Sequence, residues 1–488
     1  MVSLMYPGFP LTHVSRALCR ALLLAGCAAL AGCATMPDLG ARAALRDPAM
    51  LGTVPAAANT SAGNWPGDGW WKDYGDPQLA ALIEEALAGS PTLAAADARA
   101  RKAAAYAQGA GAALLPSLTA NGQVSELKQS YNNGFPAQFV PKGLNDTGRV
   151  SLDLAYELDF FGRNRAALRA AASDREASAI EARAARLALA TSVAAAYADL
   201  ARLAAQREVD LAAVKQREEV AALVTRRVAS GLDTRGEQRQ ADAGVPLARG
   251  DLAATDEAIA LTRNRLAALL GAGPERGIAI ALPAPHLIPA TPLPARLALD
   301  LIGRRADIAA ARLRAEAASS RIAVARAGFY PNVNLLAFAG FQSFGLGNLT
   351  AQGSDIAQAG AAISLPIFSG GRIEGQYRAA RADYDEAVAQ YDAVLLRALN
   401  EVADAAASQR ALGERQAAAG AALAASEEAY SIARRRYEGG LSPYLSVLAA
   451  QDALLRNRQL VVALDARALT INIELIRALG GGYHSKAS

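Results

Sequence analysis

Residues 150–160 read Val150-Ser151-Leu152-Asp153-Leu154-Ala155-Tyr156-Glu157-Leu158-Asp159-Phe160, and their alternation decides the fold. Side chains alternate across a strand. Val150, Leu152, Leu154, Tyr156, Leu158 and Phe160 therefore share one face, and Ser151, Asp153, Glu157 and Asp159 the other. An earlier stretch has the same period: Ser117, Thr119, Asn121, Gln123 and Ser125 alternate with Leu118, Ala120 and Val124. Two strands of about ten residues match a membrane β-barrel pattern, apolar toward lipid and polar toward the lumen. A half-buried hairpin in an ordinary sheet alternates in the same way, so the strands alone leave both readings open.

On either side of these strands the period turns helical. The 488 residues are 52% hydrophobic but only 6% aromatic and 20% charged, and roughly a quarter are alanine. Too much apolar side chain is present for a disordered chain. Alanine favours helix and lets helices approach closely. A helix is expected from about Pro91 to Leu115, with Ser90 as N-cap and Pro91 at the first position. A very long helix follows over roughly 164–229, then a third over 233–270. At 1.5 Å per residue the long helix reaches about 95–100 Å.

The chain then repeats itself. Leu93-Ala-Ala-Ala-Asp-Ala-Arg-Ala recurs as Ile308-Ala-Ala-Ala-Arg-Leu-Arg-Ala, and each copy runs on to a proline, Pro116 and Pro331. Phe161-Gly162-Arg163 matches Gly370-Gly371-Arg372, Ser230-Gly231-Leu232 matches Gly439-Gly440-Leu441, and Leu269-Leu270-Gly271 matches Ala478-Leu479-Gly480. The expected organisation is a repeat over 65–281 with strands 117–126 and 149–160, a proline-rich linker over 282–303, and a second repeat over 304–481 with strands 332–343 and 360–367. Residues 482–488 form a short tail. Four strands cannot close a barrel, for which about eight is the practical minimum, so strands that enter lipid must be pooled by several chains.

Residues 1–32 read as an export signal and 33–64 as a linker. Arg16 and Arg20 precede a short apolar run that ends Leu30-Ala31-Gly32-Cys33, too short to span a bilayer. No later stretch of about 18 apolar residues is free of charge, so no membrane helix is expected. All three cysteines, Cys19, Cys27 and Cys33, lie in this leader, and only His286 and His484 follow it. An interior Cys/His metal site or nucleophilic dyad is thereby excluded. No Gly-x-Ser-x-Gly elbow supports a hydrolase. Without the leader arginines the balance is 50 − 2 = 48 basic against 46 acidic residues, which leaves no nucleic-acid footprint.

The leader's Leu30-Ala31-Gly32-Cys33 resembles a bacterial lipoprotein signal, with Leu24-Ala25-Gly26-Cys27 as a second match. The resemblance implies diacylglycerol and an acyl group on Cys33, with Cys27 as the alternative. Ala34 and Thr35 in place of Asp imply outer-membrane sorting. The mature chain resembles the outer-membrane efflux proteins, the TolC-like trimeric channels, and most closely their OprM/NodT-like lipoprotein branch. The markers are Trp70-Trp71-Lys72-Asp73-Tyr74-Gly75-Asp76-Pro77-Gln78-Leu79, Arg304-Arg305-Ala306-Asp307-Ile308 and Tyr437-Glu-Gly-Gly440-Leu-Ser-Pro-Tyr444-Leu445-Ser-Val447-Leu448. Ala306 stands where the family usually has proline, and Ser90 where it often has asparagine.

That resemblance implies a mainly α chain with a membrane β portion: a homotrimer sharing a twelve-stranded barrel, four strands per chain, above a long α-helical barrel. It implies an exit duct without cofactor or enzymatic activity, lipid-anchored at the outer membrane and projecting into the periplasm. The implied partners are a periplasmic adaptor and an inner-membrane RND-type transporter. Leu445 would form the periplasmic gate beside Tyr444. The family's acidic gate position falls on Ala449, and Asp452, one turn later, is a substitute or a solvated residue. Gly231, Leu232, Gly440 and Leu441 are expected at adaptor-facing turns, Arg227, Arg436 and Tyr437 in a network before them, and Asp153, Glu157 and Asp159 facing the lumen. A non-conducting periplasm-spanning tether or adaptor is the rival from another class. Metal-ion efflux and type I protein secretion are rivals within the channel class.

Overall fold

A computed structural model describes residues 36–47, 65–132, 134, 136–283 and 303–484. The leader with Cys27 and Cys33, most of both linkers and the last four residues lie outside the described residues. The elements are α1 (Pro77–Gly89), α2 (Pro91–Ala112), β1 (Ser117–Leu127), β2 (Asn145–Leu158), α3 (Arg163–Ala229), α4 (Arg235–Leu269) and the short α5 (Pro274–Ile278). The second half adds α6 (Ala306–Ala327), β3 (Asn332–Phe344), β4 (Asp355–Ser364), α7 (Arg372–Glu438) and α8 (Tyr444–Ala478). Matching helices of the two halves have equal lengths: 22 residues in α2 and α6, 67 in α3 and α7, and 35 in α4 and α8. The strand bounds differ from expectation: β2 begins at Asn145 rather than 149, and β4 spans 355–364 rather than 360–367.

The chain divides into two compact units. The first comprises residues up to 44, 102–176 and 313–389, and holds an antiparallel sheet in the order β1-β2-β3-β4. Its faces are inverted relative to a soluble sheet. Val150, Leu152, Leu154, Leu118 and Val124 are exposed, while Ser151 on the opposite face is buried. On that polar face Asn121 and Ser151 each donate to Asp153 at 2.7 Å, and the Arg149 guanidinium lies 4.8 Å from the Phe338 ring centre. A Cβ at Gly340 would fall 2.1 Å from the carbonyl oxygen of Val150, so only glycine lets β3 pair here. Beyond the strands Ile322, Phe329, Ile373, Tyr377 and Ala380 form a core against which Met36 and Leu39 pack. Residues 41 and 43 are held along α7, where Arg381 donates to the Ala41 carbonyl and Tyr384 to that of Ala43.

The second unit comprises residues 45–101, 177–312 and 390–488. The sequence reading missed α1, whose start is written in Asp76-Pro77. The Asp76 carboxylate accepts from the backbone of Gln78 and Leu79 and from the Tyr197 hydroxyl. Trp70 is buried, with Trp71 and Tyr74 set edge-on at 5.6 and 5.8 Å, and Tyr74 donates to Asn472 at 2.6 Å. Arg305, almost fully buried, joins Asp307, Glu401 and the Ala478 carbonyl.

Along α7 the core positions recur every seven residues: Tyr377, Tyr384, Tyr391, Ala398, Ala405, Leu412, Ala419 and Ser426, interleaved with Val388, Leu395, Val402, Tyr430 and Tyr437. A strict seven-residue repeat keeps one seam against its neighbours through left-handed supercoiling. In α3 an 18-residue window has mean hydropathy 1.3 and passes by composition for a membrane span, as does the bent pair α1–α2 taken together. The α3 window tolerates two charges, which is why the sequence reading found no such segment. Half of it is buried within the protein, so its apolarity is used in packing.

Candidate functional site

The two helix-to-helix turns of the second unit carry the site. Helix α3 ends at Ala229, and the amide of Leu232 bonds the Arg227 carbonyl at 2.8 Å while that of Gly231 bonds Val228 at 3.0 Å. Helix α7 ends identically: Leu441 bonds Arg436 at 2.7 Å and Gly440 bonds Tyr437 at 3.0 Å. Both are Schellman closures, which require a left-handed residue after the helix. Gly231 and Gly440 supply it, with φ of 74° and 72°. The residue after each glycine, Leu232 or Leu441, is exposed.

Between the turns lies a polar knot. Asp233 accepts from Arg227 Nε at 3.1 Å and from the Tyr437 hydroxyl. The Arg227 guanidinium lies 4.5 Å from the Tyr437 ring centre and reaches the Glu438 carbonyl at 3.4 Å. Asp233 raises the Arg227 pKa further above its ordinary value, chiefly through this hydrogen bond. Burial first, then the bond to Asp233, pushes the Tyr437 phenol well up. Behind the knot Thr234 and Glu237 form a reciprocal capping box at the start of α4.

Arg227 and Tyr437 therefore meet in this knot, whereas Arg436 is exposed and stands outside it. One residue along a helix rotates a side chain by about 100°, which carries Arg436 off the seam that Tyr437 occupies. The sequence reading missed Asp233, although its place in a Gly-Leu-Asp-Thr turn directly before a cap marks it as a local acceptor.

Helix α8 starts beside the knot. Tyr444 is buried, its ring 6.0 Å from that of Tyr437, and burial raises its phenol. Leu445, the next residue, is 63% exposed. Asp452 is neither a free carboxylate nor an isolated surface charge: it ion-pairs with Arg217 of α3. One residue nearer the helix start, Gln451 is fully buried, with neither its amide oxygen nor its nitrogen hydrogen-bonded. It sits at a core position among Tyr444, Val447 and Leu454.

In the first unit, Asp153 and Glu157 lie on the polar face of β2. Asp159 does not extend that row. β2 ends at Leu158, and the Asp159 carboxylate instead accepts from the backbone of Asn164 and Arg165 and from the Arg165 side chain. Burial pushes this carboxyl up, but those donors outweigh it and hold it below the usual carboxylate range. Among the described residues no group of three His, Cys, Asp or Glu side chains is placed to hold a metal ion.

Residues 82–272 and 297–481 match the outer membrane efflux protein family. The fusaric acid resistance protein FusA of Burkholderia cepacia is 37% identical over 364 residues, 72% of this chain and 67% of that protein. The multidrug resistance outer membrane protein MdtP of Escherichia coli strain K12 is 30% identical over 491 residues, 97% of this chain and 98% of its own length. Among solved structures, the outer membrane protein VceC of Vibrio cholerae superposes with a TM-score of 0.80 at 44% identity, covering 86% of this chain and all of that one.

Proposed function

The chain belongs to the outer membrane efflux protein family, and from that premise we propose that three copies form a passive exit duct for small toxic molecules. The observation that carries this reading is the inverted sheet. A four-stranded sheet whose apolar face is exposed and whose β1 and β4 edges are unpaired among the described residues is complete only in lipid and beside further strands. Three copies would give twelve strands, enough to close a barrel. Leu247, Leu261, Ile432 and Leu460, exposed on the long helices, supply apolar surface for neighbouring copies. Asp153 and Glu157 would then face the lumen.

The duct performs no chemistry of its own and holds no cofactor in this reading. Leu445 forms a hydrophobic constriction at the tip, and the knot around Asp233 with the Arg217–Asp452 pair holds the tip shut. The exposed Leu232 and Leu441 receive a periplasmic adaptor, which links the duct to an RND-type inner-membrane transporter. The names of FusA and MdtP favour organic antimicrobials over metal ions or secreted proteins as cargo. A covalent lipid on Cys33 fits the path of residues 36–47: three residues of chain reach at most about 11 Å from Met36, which packs against the core next to the sheet. Cys27 would have a much looser tether.

Accumulation of a fluorescent pump substrate in cells lacking the gene, with and without its restoration, tests the reading. Restoration should lower accumulation. Unchanged accumulation across several substrate classes would contradict small-molecule efflux.

A further inference from the structure

Where the strands hand over to the long helices, the first unit holds a cavity of about 530 Å³. Three strand residues on its wall, Glu157, Asn332 and Ser364, share one face of the sheet. Asn332 pairs in register with Ser364, and Glu157 pairs with Asn334, two residues along β3. That is the face of Asp153, opposite the exposed column of Val150, Leu152 and Leu154. The cavity therefore lies on the polar side of the sheet, and Arg163 and Arg372 also line it. These two occupy equivalent places in the two repeats, as the first residues of α3 and α7. A cation there opposes the helix dipole, so helix formation accounts for neither.

The other charges on the wall are mostly committed: Arg321 pairs with Asp174, and Asp159 with Arg165. Arg163 has no carboxylate partner among the described residues, and Arg372 makes only a 3.5 Å contact with Gln376. Glu157 alone offsets these two guanidiniums, so the wall is net cationic. Its apolar part is aromatic. Phe161 stacks on Tyr330 with ring centres 4.7 Å apart, yet stays 47% exposed. A guanidinium takes a carboxylate through two parallel hydrogen bonds, and a cavity of a few hundred Å³ suits a small organic molecule. An inorganic anion would leave the aromatic part of this wall unused.

We propose that this cavity is a docking site on the wall of the duct for small amphipathic anions, an aromatic ring bearing a carboxylate. Arg163 and Arg372 hold the carboxylate, and the ring lies against Phe161. The inference rests on the duct reading, which turns this face of the sheet to the lumen, and it narrows the cargo that the wall favours. Both arginines are exposed, so water screens the contact and binding stays weak enough to release a passing molecule.

The test uses the full-length assembled protein in neutral detergent, with the fluorine resonance of 4-fluorobenzoate as the probe and empty micelles as the blank. Wild type should broaden 4-fluorobenzoate but not 4-fluorobenzylammonium, a cation of similar shape. R163Q/R372Q should weaken 4-fluorobenzoate binding by about tenfold, while R169Q, which removes an exposed arginine of the same helix, should not. F161L should weaken 4-fluorobenzoate and leave competition by acetate unchanged. Unchanged thermal unfolding of R163Q/R372Q shows that the variant is folded. Equal broadening of anion and cation, binding unchanged in R163Q/R372Q, or acetate displacing the probe as well as benzoate does would each overturn the site. The duct reading is scored separately, by insertion and conductance of wild type in planar bilayers. Normal insertion and conductance without 4-fluorobenzoate binding overturns the site alone, whereas binding by a protein that does not insert removes the duct reading and with it the role as a wall site for cargo.

Discussion

The Tyr437 hydroxyl donates to the Asp233 carboxylate, tying the last turn of α7 to the residues that follow α3. Arg227 shares the same carboxylate, so one side chain closes the knot from two directions. D233N should weaken the tip more than Y437F, by about 2–3 against about 1–1.5 kcal/mol, because it removes a charge-assisted bond as well as the phenol's acceptor. Local hydrogen-exchange protection at 227–237 and 434–441 measures both, and a larger loss in Y437F would contradict the assignment.

The raised phenol of Tyr437 fixes the pH window. A group whose folded pKa lies above its unfolded value, about 10 for tyrosine, stabilises fully below that value and loses the contribution as pH rises through the folded pKa. Tip protection from this bond should therefore be level from pH 7 to about 10 and fall only in stronger base. Y437F should lack the alkaline fall.

Four glycines end helices in the left-handed region, but their surroundings differ. A Cβ at Gly231 or Gly440 meets open space, whereas at Gly271 it would lie 2.5 Å from the Gly89 carbonyl oxygen and at Gly480 2.0 Å from that of Arg304. G231A should cost about 1 kcal/mol, the backbone penalty alone. G271A and G480A should cost several times more or prevent folding. Thermal unfolding of the four single alanine variants gives the comparison, and equal losses would contradict it.

Asp159 anchors the start of α3. Removing such a cap costs about 1 kcal/mol. Because its folded pKa is depressed, the contribution is present above the unfolded value of about 3.9 and is lost as pH falls through the folded one. The stability gap between wild type and D159N should be full at pH 6 and shrink below about pH 4. A pH-independent gap would remove the carboxylate from the explanation.

Much of this architecture was legible in the chain. The helix bounds at 163–229 and 235–269 fell within two residues of expectation because Gly162, Gly231 and Gly271 punctuate an alanine-rich helical pattern, and β2 was legible because its two faces differ so sharply. The start of β4 was not, since its two polar residues, Asp355 and Gln358, fall on opposite faces and leave no period of two in Asp355-Ile356-Ala357-Gln358-Ala359. Asp159 was misassigned for a general reason: period-2 counting continues past the end of a strand, whereas a carboxylate two residues before a helix answers to that helix. The Arg217–Asp452 pair joins residues 235 apart, and nothing local in either segment announces the other.

Gln451 occupies a seam position with no partner for its amide. Replacing such a group with a similarly shaped apolar one removes an unpaid desolvation cost. Q451L should stabilise the tip by about 1–2 kcal/mol and make it harder to open, read as a raised melting temperature together with reduced efflux. Destabilisation by Q451L would mean that the amide is satisfied.

Single-channel conductance of the purified protein in planar bilayers tests the central claim most directly. Wild type should insert and conduct poorly because the tip is shut, and D233N combined with L445S should raise conductance several-fold without changing insertion. Conductance unchanged by those substitutions, or an inserted protein that conducts no ions in either form, would contradict a duct gated at this tip.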